Sequence, residues 1–163
     1  MALDNYQHRG ARALVLLHDK NLREFLTIWK KAKAANLRLP ETSSEDYQSL
    51  ETLLVHVLDA ARSYMLWICR QLDLADPAIH SPPEVSEIEA QVEVYLEHLL
   101  ERWCLPLINV EEHKFYNPEY PTSSGTHHLC IDLMLEHALV HPARHAFQLE
   151  ELLKQQRSEH APS

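Results

Sequence analysis

Glycine is nearly absent: the chain of 163 residues contains 2 glycines beside 9 prolines. Hairpins and tight turns use glycine for backbone conformations that other residues resist, so this shortage argues against an all-β or doubly wound fold. Cysteine is scarce and odd in number. Cys69, Cys104 and Cys130 show no C-x-x-C spacing, which offers no disulfide framework and points to a reduced, cytoplasmic protein. Long hydrophobic runs are missing as well. Charge interrupts every apolar stretch before the roughly 18 residues that a membrane span requires, and no leader-like segment opens the chain. The expectation is a soluble protein with no membrane partner. Basic residues are outnumbered, 15 against 24 acidic ones, for a formal charge of -9. Without a basic field to hold a phosphate backbone, nucleic acid is not an expected partner.

What the chain does contain is Leu, Glu, Ala and Lys, in a length suited to one domain spanning residues 1–163 with a single core. Apolar residues recur at helical spacing in four blocks, which predicts helices over about 11–35, 44–74, 84–107 and 127–156. In the first, Leu14, Leu17, Leu22, Phe25, Leu26 and Trp29 form the core side, and Lys30, Lys31 and Lys33 suit the negative end of the helix dipole. Pro40 and the Ser43-Ser44-Glu45-Asp46 cluster end that helix and cap the next. Four long helices with a long connection before the last define an all-α fold, a four-helix bundle. That connection, 108–126, carries Asn117-Pro118, Tyr120-Pro121 and Ser123-Ser124-Gly125. It reads either as an ordinary surface loop or as a pocket cover, with Glu111, Glu112, His113, Tyr116 and Tyr120 available for that role.

The surplus residue is histidine, of which there are 12. On the last helix, at 100° per residue, His137, His145 and Gln148 all project within about 40° of His141, inside an apolar arc where an imidazole must find a partner. His141-Pro-Ala-Arg-His145 is an H-x-x-x-H, a spacing that sets two imidazoles one turn apart, near enough to share a metal ion. His56, at the border of the apolar arc of the second helix and aligned with Ala60, Ser63 and Trp67, is the candidate third ligand. The same three residues also read as hydrogen-bonded core or interface histidines. His18, His98, His113, His127 and His128 read as surface or capping residues. Ferritin-like di-iron chemistry is excluded, because Glu-x-x-His occurs nowhere in the chain.

Two segments carry a family resemblance, Leu53-Leu54-Val55-His56-Val57-Leu58-Asp59-Ala60-Ala61-Arg62 with Trp67 downstream, and His141-Pro142-Ala143-Arg144-His145-Ala146-Phe147-Gln148-Leu149. With the long connection before the last helix, they make the chain resemble the DinB-like and YfiT-like metal-dependent enzymes, which are four-helix bundles. The resemblance implies a triad of His56, His141 and His145 holding a divalent metal ion, with zinc, nickel and iron all compatible with histidine ligands. It also implies a small-molecule substrate and thiol-dependent transfer or isomerisation. Ala146-Phe147 replaces the Arg-Gly frequent in the family. Pro142 frees the carbonyl of Ala138 and is expected to kink the helix, which makes His137 the substitute should a ligand be displaced. Gln148, Glu136, Asp59 and Ser63 are the candidates for holding the second ring nitrogens. A second apolar row on the last helix, Leu129, Leu133, Val140 and Phe147, predicts a homodimer or a partner-binding bundle that keeps the fold without the chemistry.

Overall fold

In a computed structural model, which describes residues 5–116, 118–122 and 125–159, the first apolar block folds as helix α1 (Arg9–Ala34). Its buried stripe, Ala11, Val15, His18, Leu22, Phe25 and Trp29 among others, repeats every three or four residues. The helix stops without glycine. Asn36 takes a left-handed φ of 51°, while Leu37 N–H donates to the Ala32 carbonyl and Asn36 N–H to that of Lys33. This is a Schellman ending in which asparagine does the work of glycine. Helix α2 (Leu50–Gln71) ends the same way, with Asp73 at φ 54° and Leu74 N–H on the Cys69 carbonyl.

Helix α2 begins six residues later than the expected Ser44. Ser49 and Thr52 close a reciprocal capping box there, the Ser49 side chain accepting from Thr52 N–H and the Thr52 hydroxyl accepting from Ser49 N–H. The upstream cluster instead forms a 3-10 turn, Glu45–Tyr47, that folds against α2. Helix α3 (Ile88–Trp103) also begins and ends inside the expected span. The connection that follows it holds a one-turn helix, α4 (His113–Tyr116), and a two-residue antiparallel pair, β1 (Tyr120–Pro121) with β2 (His128–Leu129). The last helix, α5 (Ile131–Glu159), starts past this pair and runs unbroken through Pro142.

Cross-helix contacts fix the directions. Asn21 donates to the Leu139 carbonyl at 3.0 Å and Gln156 to the Ala35 carbonyl at 3.2 Å, so α1 and α5 run parallel. Ion pairs of Arg23 with Glu97, Lys30 with Glu93 and Lys33 with Glu89 make α3 antiparallel to α1. Trp29 donates to the Leu50 carbonyl, which sets the start of α2 beside the end of α1. The order is up, down, down, up. Residues 72–87 therefore run back along the bundle, held by Arg62 Nε on the Ile79 carbonyl and the Tyr95 hydroxyl on that of His80. All four long helices contribute to the core, whose largest fully buried side chains include Trp29, Phe25, Met65, Leu99 and Trp103. All three cysteines are free. Among the described residues no helix is long and apolar enough to cross a membrane.

Candidate metal centre

Helix α2 presents His56 and helix α5 presents His141 and His145 to a common point. One nitrogen from each ring lies within 4.8 Å of the others, and they form the one grouping of three or more metal-ligating side chains among the described residues. His56 Nε2 and His141 Nε2 are 3.2 Å apart. Two nitrogens bound tetrahedrally to one ion at about 2.0–2.1 Å stand roughly 3.4 Å apart, so this pair is already at ligand spacing. His141 and His145 are 5% and 2% exposed, whereas His56 reaches the surface with one edge.

The outer nitrogens decide which inner ones are free. His145 Nδ1 lies 2.9 Å from Gln148 Oε1, an oxygen that only accepts, so Nδ1 carries the proton and Nε2 keeps its lone pair. His56 Nδ1 lies 3.3 Å from Asp46 Oδ2, so its outer nitrogen too has an acceptor while Nε2 faces His141. Side chains that hold metal-binding imidazoles act in this way. His145 Nε2 and His141 Nδ1 are buried without a partner in the structure. Burial, and after it the neighbouring imidazoles His145 and His56, push the His141 pKa down to about 3. Burial likewise takes His145 to about 4, against the opposing effect of its hydrogen bond to Gln148. Both rings stay neutral near pH 7, the form that binds a metal.

Tyr47 covers the group. Its hydroxyl is 3.4 Å from His56 Nε2, and its ring centroid is 5.3 Å from that of His56 and 5.7 Å from that of His145. Among the described residues, the cover thus comes from the connection between α1 and α2. Of the residues considered for that role, Tyr116 lies instead against His8, and His113 is an exposed partner of Glu111. Two clefts flank the cluster. One, of about 730 Å³, is lined by Leu39, Pro40, Tyr47, His145 and Gln148 among others. The second, of about 610 Å³, is bordered by Glu45, Asp46, His56 and Asp59.

Pro142 does not displace the pair. Helix α5 continues through it, and the ligand nitrogens of His141 and His145 still lie within 4.8 Å of each other. His137 is consequently no substitute ligand: it is exposed, with its ring edge-on to Tyr64 at 5.2 Å. Of the candidates for holding ring nitrogens, Gln148 does so. Asp59 pairs with Arg62, and Glu136 and Ser63 are exposed. Asp46 and Tyr47 escape sequence reasoning because helical projection from 44 onward turns them away from His56. The one signal that could have placed them is the Ser49-x-x-Thr52 capping box, which restarts the helix and lets the preceding turn fold back. His18 is a correction too. It is not a surface residue but 1% exposed, stacked on Trp103. Comparison of the chain with protein families, with curated proteins and with solved structures gives no match.

Proposed function

We propose that the protein is a metal-dependent enzyme of the DinB-like type, with His56, His141 and His145 holding one divalent ion. The observation that carries this reading is the convergence of three imidazoles within 4.8 Å, two of them with their outer nitrogens engaged by Asp46 and Gln148. Three neutral ligands leave coordination positions open, as catalytic sites do. When bound, such an ion supplies Lewis acidity to a water, thiol or carbonyl. The chain does the rest. Asp46 and Gln148 fix the ring orientations, and Tyr47 limits access of water to the cluster and offers a phenol for hydrogen bonding there. Metal analysis of untagged protein tests this, with one ion per chain expected in the wild type and loss in both His56→Ala and His141→Ala. Equal trace metal in all three proteins would overturn it.

A second reading, a homodimer, rests on a different surface. Leu133, Val140 and Phe147 recur every seven residues along α5 and are 46%, 51% and 61% exposed. Leu129, counted with them from the sequence, belongs to β2 and is partly buried. A face of this kind fits a second copy of the chain, with or without a metal centre in each. Sedimentation should show a dimer that Val140→Glu dissociates; a monomeric wild type would rule the dimer out.

A further inference from the structure

The larger cleft has the size of a small-molecule site and opens directly onto the cluster, with His145 and Gln148 in its lining. Leu39, Pro40, Leu53 and Leu152 give it apolar walls, and Phe147, 61% exposed, stands at its edge. Among this apolar surface is one cation, Arg144. It is exposed, and no described residue forms an ion pair or hydrogen bond with it. Its charge is nevertheless felt at His141 and His145, adding to the depression of both imidazoles. The carboxylates in the same lining are Glu41 and Glu151, of which Glu151 is paired with Lys154 at 2.7 Å.

We propose that this cleft binds a small organic acid, its apolar body against Leu39, Pro40, Leu53 and Leu152 and its carboxylate on Arg144. The inference deepens the metal-enzyme reading by naming a substrate class, and rests on it only for the second anchor that a bound ion would give the anionic head. A guanidinium is suited to a carboxylate, which it can grip through two parallel hydrogen bonds. An apolar wall rewards each buried methylene, so affinity should grow by about fourfold per added carbon while the tail still fits.

Titration calorimetry with octanoate, octan-1-ol, octylamine and butanoate tests this, on chelator-stripped and on zinc-loaded protein. Octanoate should bind at least about tenfold more tightly than the neutral, cationic and shorter probes. Arg144→Gln should weaken octanoate by about tenfold in both metal states, Arg144→Lys by less, and Glu41→Gln should tighten it. Equal binding of octanoate and octan-1-ol, unchanged affinity in a folded Arg144→Gln, or no binding at millimolar octanoate would overturn the proposal. Should Arg144→Gln fail to fold, the ranking of the probes together with Glu41→Gln decides. If the protein takes up no metal yet octanoate binds through Arg144, the metal reading fails and this one stands. Metal uptake without octanoate binding gives the reverse.

Discussion

Among the described residues, imidazole nitrogens are buried without partners at two places, and the surroundings differ. In the first half of α1, His18 is alone. Both its ring nitrogens lack partners, its ring stacks on Trp103 at 4.0 Å, and the adjacent void of about 20 Å³ is walled by Val15, Leu16 and Leu100 among others. At the level of His56, three imidazoles converge from two helices, and two of them have an acceptor on the far nitrogen. An orphaned nitrogen costs about 1–3 kcal/mol in either place. Only the second place offers a way to recover it, because a cation placed among the three rings would take up their lone pairs. A buried histidine is thus a weak pointer to function; several with their lone pairs turned to one point are a strong one.

The sharpest contrast is expected on adding metal. Zinc at a thousand times its dissociation constant should raise the unfolding free energy by about 4 kcal/mol, an increment absent in His141→Ala and retained in His18→Leu. Denaturant unfolding with and without zinc measures it. The next largest effect belongs to His18. Burial lowers its pKa to about 3 in the folded chain, against roughly 6.5 when unfolded. The unfolded state therefore takes the proton first, so stability is complete above about pH 6.5 and declines as the pH falls towards 3. Between pH 7 and 5 the wild type should lose about 2 kcal/mol more than His18→Leu does, which paired unfolding curves would register. Equal losses would show that His18 is not held neutral.

Smaller changes probe the supports of the cluster. Gln148→Ala should weaken metal binding by about tenfold without altering the stoichiometry, since the ring loses its orientation and not its nitrogen. Competition with a chromophoric chelator would detect the shift. His137→Ala, one turn from the cluster but exposed, should change metal affinity by no more than about twofold and stability by about 0.5 kcal/mol or less. A loss as large as that of His141→Ala would move the site one turn along α5.

The long helices and the three converging histidines were legible because both depend on periodicity, which a chain displays directly. His141, His145 and Gln148 are related by one helix, and their common face follows from 100° per residue. The contribution of His56 depends on which helices are neighbours, and its place at the edge of an apolar arc was enough to suggest it. Asp46 and Tyr47 were not legible, because their approach to His56 depends on a turn whose direction is set by the capping box at Ser49 and Thr52. The scarcity of glycine pointed correctly to helices but hid how they end. Asn36 and Asp73 adopt the left-handed backbone, at the expense of conformational strain that glycine would avoid. The sequence puts Leu17 on the core side of α1, whereas the structure leaves it 45% exposed and turns Val15 and His18 inward, His18 against Trp103.

Whether the three histidines hold an ion can be read directly from crystals. An anomalous difference map from crystals grown with zinc tests it most directly. A single strong peak is expected within about 2.0–2.1 Å of one nitrogen each of His56, His141 and His145. Clear density for all three rings with no anomalous peak between them would overturn the metal assignment.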